Sequence, residues 1–204
     1  MIGGSGLNVI FWDTETNGLE NTNSVLSISA IKCSFIIEGQ SITSNIVERY
    51  ERFYFRKPGE RLGLDAIKIN GLTDEIIKQR RGHAEYPDNF CNDLEAFCLF
   101  CEDAQHFVGH NIFFDMQYLD FRLPFIFCTM KANTKIIGLR RKNGQLKYPS
   151  LGETANFYGI EIDKNELHSS MNDSFVTYQI FCKMLEHEKS RKIALDFLAR
   201  RSYQ

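Results

Sequence analysis

Proline is scarce, with 4 in 204 residues, and the sequence contains no internal repeat, no low-complexity tract and no convincing linker. A chain of this length without a linker reads as one globular domain, long enough to bury a substantial core. It has no apolar run of about 18 residues, which excludes a membrane-spanning helix. Intrinsic disorder is excluded by the 43% hydrophobic and 13% aromatic content. The opening Met1-Ile-Gly-Gly-Ser-Gly6 lacks the basic and apolar stretches of a secretory signal, so residues 1–6 read as a flexible or added lead-in and a cytoplasmic protein is expected. No sign of charge dominates either. With 24 Lys and Arg against 26 Asp and Glu, the net charge of −2 gives by itself no hint of a nucleic-acid partner.

The six cysteines (Cys33, Cys91, Cys98, Cys101, Cys128, Cys182) come without an export signal and are expected to be reduced and buried. Cys98 and Cys101, with Cys91 and His106 nearby, have zinc-like spacing. No second Cys/His pair matches them, and the interleaved Leu94, Phe97, Leu99 and Phe100 read as the inner face of a helix.

What is present is ordered apolar patterning. Residues 7–13 read as a buried strand turned by Asn17-Gly18, and 25–35 and 42–55 as two further strands, giving an antiparallel three-stranded meander. Helical spacing follows: a short stretch through Leu62, Leu64 and Ile67, a helix capped by Thr73, and another over 87–102. A strand at 107–109 precedes a helix at 112–121 with Asn111 as its cap. Next come a strand at 125–128, a helical stretch to 139 and a polar loop over 140–149. Ser150-Leu-Gly-Glu153 is a capping box, and a last helix runs from about 170 past 184 to a basic end over 189–204 that reads as a helix or a tail. Three strands followed by alternating helices and strands make an α/β domain with a mixed central sheet flanked by helices.

Three short segments carry chemistry. In Asp13-Thr-Glu15, residues two apart on a strand share a face, so both carboxylates project together while Trp12 and Thr14 face away. Two such charges about 4 Å apart repel by roughly 4 kcal/mol at an effective dielectric of 20, which asks for a cation or a shared proton. The plain alternative is a polar turn with positive dihedrals at Asn17-Gly18. In His110-Asn-Ile-Phe-Phe-Asp115 the acid falls in a first helical turn, where the helix dipole favours it anyway. In His168-Ser-Ser-Met-Asn-Asp173 the stretch Ser170-x-x-Asp173 also satisfies a capping pattern. Taken together, each acid lies at a strand end or helix start, where separate parts of a sheet converge. Hard oxygen ligands suit Mg²⁺ or Mn²⁺.

The three segments, in this order and at these separations, resemble the exonuclease motifs of the DnaQ-like 3′–5′ exonucleases, in the subgroup with a histidine in the third motif (DEDDh). The resemblance covers about residues 7–188 and implies a ribonuclease H-like fold. It further implies that Asp13, Glu15, Asp115 and Asp173 hold two divalent ions, with Asp13 shared, and that His168 is the general base in releasing nucleoside 5′-monophosphates. Thr14 and Thr16 would approach the 3′-hydroxyl, Leu19 and Ile69 would pack on the terminal base, and Asn70 would meet its sugar or edge. For Leu19 and Ile69 simple core packing is the alternative. The implied substrate is a single-stranded or frayed DNA 3′ end, with RNA as the alternative, and a DNA polymerase subunit is an implied partner. A non-catalytic nucleic-acid or polymerase-binding adaptor on the same fold would be expected to lack an acid or the histidine, and all five are present.

Charge then looks different locally. Between Phe121 and Gly152 stand Arg122, Lys131, Lys135, Arg140, Arg141, Lys142 and Lys147 without an acid, a stretch that is either a solvated face or a track for phosphates, with Tyr148 available for stacking. Lys78, Arg80 and Arg81 form a second candidate. Two divalent cations on the acids would take the formal charge from −2 to +2.

Overall fold

The computed structural model describes residues 6–162 and 169–201. Five strands, β1 (Leu7–Thr16), β2 (Val25–Glu38), β3 (Ser41–Phe53), β4 (His106–Gly109) and β5 (Phe125–Cys128), form one mixed sheet in the order β3-β2-β1-β4-β5. The expected meander is there: β1 pairs antiparallel with β2, and β2 with β3, across a two-residue Gly39-Gln40 turn in which Gly39 supplies the positive φ of 62°. β4 and β5 run parallel to β1, so the ends of β1, β4 and β5 open on the same edge.

The helices are α1 (Leu64–Asn70), α2 (Asp74–Arg81), α3 (Leu94–Cys101), α4 (Ile112–Asp115), α5 (Thr129–Ile137), α6 (Leu151–Phe157), α7 (Ser170–Glu186) and α8 (Glu188–Leu198). Among the described residues none is long and apolar enough to cross a membrane. β1 is buried on both faces. Val9 and Phe11 pack with Phe181 and Met184 of α7 and Phe197 of α8, whereas Ile10 and Trp12 pack with Phe97 and Phe107. Trp12 thus faces away from Asp13 as the strand period requires.

Several local expectations need correction. The basic end over 189–204 takes the helix alternative as far as Leu198, as α8, but it is not separate from the domain: Ala194, Phe197 and Leu198 sit in the main core. The helix expected over 87–102 starts only at Leu94. A short 3₁₀ turn over Phe90–Asn92 precedes it, because Asp93 is occupied in accepting hydrogen bonds from Arg52 and Tyr54. Cys91 and Cys98 are exposed rather than buried. Neither Asn17 nor Gly18 has positive φ. Gly18 instead lets Asn23 approach closely: a Cβ there would lie 2.5 Å from Asn23 Oδ1, so that side chain would have to shift.

Candidate active site

The β1 edge, α4 and α7 bring the acids together. Asp13 and Glu15 project from β1 toward α7, and Asp173 in the first turn of α7 meets them: one oxygen from each lies within 4.8 Å of the others. Asp115 arrives from the opposite face of the sheet. One of its carboxylate oxygens accepts from the backbone N–H of Thr14 at 3.1 Å and from the Thr14 hydroxyl at 2.7 Å, which holds it beside Asp13. The alternation of β1 therefore serves both sides. Odd-numbered residues carry two of the acids, and the even-numbered Thr14 anchors a third.

The position of α4 depends on a conformation that the sequence misreads. Asn111 makes no side-chain capping hydrogen bond. It adopts the left-handed region at φ 71°, and α4 ends at Asp115, giving way to a 3₁₀ turn over Met116–Tyr118 instead of continuing to 121. Asparagine tolerates this region better than most side chains, so it turns the chain sharply out of β4. Gly109 allows the close return, since a Cβ there would lie 2.9 Å from Ile112 Cβ. His110 is a structural tie, with hydrogen bonds to the Thr129 hydroxyl at 3.0 Å and the Pro149 carbonyl at 3.1 Å. Burial pushes its imidazole down to about 4, so it stays neutral near pH 7.

Ser170 does not cap α7 either; Ser169 is the flanking residue and makes no side-chain cap. The Ser170 hydroxyl is buried against those of Ser27 and Ser29 on β2, at 2.9 and 2.7 Å, and Ser174 donates to the Ser29 carbonyl at 3.1 Å. This serine cluster docks the start of α7 on the sheet and so places Asp173. Its one trace in the sequence is the pair of hydroxyls alternating within the apolar run of β2.

Electrostatically the acids are held as a cluster short of positive charge. Burial raises the Asp13 carboxyl well above the usual range, with Asp115, Asp173 and Glu15 adding repulsion. Glu15 is pushed up to about 8 by burial and then by Asp173, against a hydrogen bond from Asn70. Asp115 is pushed up to about 7 by burial, against the Thr14 hydrogen bonds. An all-oxygen set of this kind fits hard divalent cations such as Mg²⁺ or Mn²⁺, and a cation there would supply the missing charge.

Beside the acids a cavity of about 690 Å³ is lined by Thr14, Glu15, Thr16, Leu19, Leu62, Leu64, Ile69, Asn70 and Phe114, among others. Leu19 is 83% and Ile69 57% exposed, so neither is a core residue. Asn70 donates to the Thr16 carbonyl at 3.1 Å and accepts from Leu72 N–H at 3.0 Å, tying α1 to β1. Leu62, Leu64 and Phe114 also belong to this wall, a role that helical spacing at Leu62 and Leu64 does not indicate. His168 lies outside the described residues.

The sequence profile of the RNase_T family, described as "Exonuclease", matches residues 10–181. The chain belongs to this exonuclease family. The matched range includes positions 13, 15, 115, 168 and 173. Within the exonuclease family and its kin, the chain is 28% identical over 184 residues to the PolC-type DNA polymerase III of Staphylococcus aureus strain bovine RF122 and equally to that of Staphylococcus epidermidis. These alignments cover 88% of this chain and 11% of those relatives, so the chain spans about a ninth of their length. Its exonuclease fold is shared with Exonuclease X, solved with 5′-overhanging duplex DNA (TM-score 0.60, 18% identity, 95% of this chain and 99% of that one). It is shared too with the nuclease domain of 3′hExo, a DEDDh family member solved with rAMP (TM-score 0.62, 12% identity, 92% and 96%).

The cationic residues separate by environment. Arg81 is committed to the carbonyls of Phe53 and Tyr86 and to Asp88, which removes it from the candidate phosphate contacts. Lys147 pairs with Glu153, and Arg140 donates to the Gly144 carbonyl. Arg141 and Lys142 are exposed and have no ion-pair partner among the described residues.

Proposed function

We propose that the protein removes nucleotides one at a time from the 3′ end of single-stranded or frayed DNA and releases nucleoside 5′-monophosphates. The observation that carries this reading is the convergence of Asp13, Glu15 and Asp173, with Asp115 beside Asp13, at the mouth of a cavity wide enough for a nucleotide. The four carboxylates would hold two Mg²⁺ or Mn²⁺ ions. Such ions, when bound, lower the pKa of an attacking water and offset charge on a leaving oxygen.

The chain's own groups do the rest. Thr14 fixes the rotamer of Asp115, and the serine cluster fixes the start of α7, so the acids are positioned before substrate arrives. Leu19 and Ile69 present apolar surface to the terminal base, Thr14 and Thr16 stand near its sugar, and Asn70 holds the α1 side of the pocket to β1. His168 is assigned as the general base on its place in the third motif, five residues before Asp173, because a neutral imidazole can take a proton from water. DNA is preferred to RNA because the curated relatives are DNA polymerases. For the same reason a polymerase subunit is the proposed partner and the cytoplasm the proposed location.

Incubating the protein with labelled single-stranded DNA and RNA of one sequence, with Mg²⁺, Mn²⁺ or chelator, tests this reading. Faster metal-dependent release of deoxynucleoside 5′-monophosphates is expected. Release of 3′-monophosphates, or faster attack on RNA, would refute the chemistry or the substrate choice respectively.

A further inference from the structure

The loop after β1 and the segment leading into α1 form facing walls of the nucleotide pocket, the first through Leu19 and the second through Leu62 and Leu64, the first residue of α1. One side chain joins them. Lys57-Pro58-Gly59-Glu60 is a tight turn, closed by Glu60 N–H donating to the Lys57 carbonyl at 3.0 Å with Gly59 at φ 80°, and it aims Glu60 at the loop. The Glu60 carboxylate accepts from Asn17 Nδ2 at 2.7 Å, Ser24 N–H at 3.0 Å, the Ser24 hydroxyl, and Asn23 Nδ2 at 3.4 Å. Asn17 completes the junction, donating to the Arg61 carbonyl at 2.8 Å and accepting from Gly63 N–H at 2.8 Å. The walls approach so closely that a Cβ on Gly63 would lie 1.9 Å from the Asn17 carbonyl oxygen. From behind, Arg56 donates to the Glu60 carbonyl and pairs with Asp74 of α2. Burial acts to raise the Glu60 carboxyl, but the hydrogen bonds from Ser24, Asn17 and Asn23 outweigh it and keep the group below its ordinary value, hence charged.

Leu19 itself is almost fully exposed, so its own packing does not place it. Its neighbours do: Gly18 O accepts from the Thr16 hydroxyl, Glu20 O accepts from the Tyr118 hydroxyl, and Asn17, Asn23 and Ser24 are gripped by Glu60. We infer that Glu60 is a positioning residue, a latch that sets the distance between Leu19 and the Leu62–Leu64 wall and thereby the grip on the terminal nucleotide. The inference rests on the reading of this cavity as the nucleotide site.

The test is a double-mutant cycle on a single-stranded DNA oligonucleotide with Mg²⁺, using wild type, Glu60→Gln, Leu19→Ala and the double variant. Glu60→Gln is expected to raise KM about tenfold, with a much smaller change in kcat, because a misplaced wall loosens binding. In the Leu19→Ala background the same change should add little, since the latch acts through Leu19. Equal effects in both backgrounds, an effect confined to kcat, or no effect overturns the latch. Ser24→Ala, which removes one donor only, replaces Glu60→Gln if that variant does not fold. Calorimetric titration with deoxyadenosine 5′-monophosphate and Mg²⁺ separates the two claims. Should the wild type hydrolyse no DNA, the exonuclease reading fails while weaker nucleotide binding by Glu60→Gln still upholds the latch; unchanged or absent nucleotide binding overturns it.

Discussion

Glu15→Gln should make the metal-free protein more stable, and only at high pH. In the folded chain Glu15 gives up its proton near pH 8, whereas its ordinary value is 4.5. Between those limits the folded state holds a proton that the unfolded chain has released. Raising the pH through this window therefore favours unfolding, and the cost is complete above about 8. At about 1.4 kcal/mol per pH unit the window amounts to on the order of 5 kcal/mol, reduced by whatever solvent reaches a partly accessible carboxyl. Glutamine keeps the shape and removes the charge, and should recover about 2 kcal/mol at pH 9, or roughly 4–8 °C in Tm for a domain of this size. At pH 5 the gain should nearly vanish. Thermal melts in chelator at pH 5 and pH 9, followed by circular dichroism, measure both. A loss of stability at pH 9, or an equal shift at both pH values, would refute the claim that the cluster is strained by uncompensated negative charge. Added Mg²⁺ should reverse the order, raising the Tm of the wild type more than that of the variant.

Other outcomes follow from the same geometry. Asp173→Ala should abolish hydrolysis with little loss of folding stability, because it relieves repulsion on Glu15; retained activity would remove Asp173 from the centre. His168→Ala should slow kcat far more than it weakens oligonucleotide binding, and an unchanged turnover would exclude it as the base. Asn111→Ala should cost about 1–2 kcal/mol in a denaturant titration, because alanine resists the left-handed conformation, whereas Asn111→Gly should cost less. Neutralising Arg140, Arg141 and Lys142 together should lower affinity for single strands and flatten its salt dependence; an unaltered slope would return the stretch to a solvated face.

The sequence announces those parts of the molecule that local pattern determines. The apolar runs of β1, β4 and β5, the alternation in β2 and β3 and the Ser150–Glu153 capping box all appear where their spacing puts them. Asp13 and Glu15 share a face because a strand has period two. Other features hide because one residue type serves two local purposes. Asn111 suits a helix cap and the left-handed region equally well, and Ser170 suits a cap but spends its hydroxyl on serines more than 140 positions away. Long-range polar contacts of this sort leave no periodic signal. In α8 the helical spacing of Ala194, Phe197 and Leu198 is legible, whereas its burial in the main core depends on packing against distant elements.

The most direct test of the central claim is a time course on a 5′-labelled single-stranded DNA with Mg²⁺, run beside Asp13→Asn and a chelator control. A metal-dependent exonuclease predicts a ladder shortening one nucleotide at a time from the unlabelled 3′ end, lost in chelator and in the variant. Internal cuts, removal of the 5′ label, or an undiminished ladder from Asp13→Asn would contradict it.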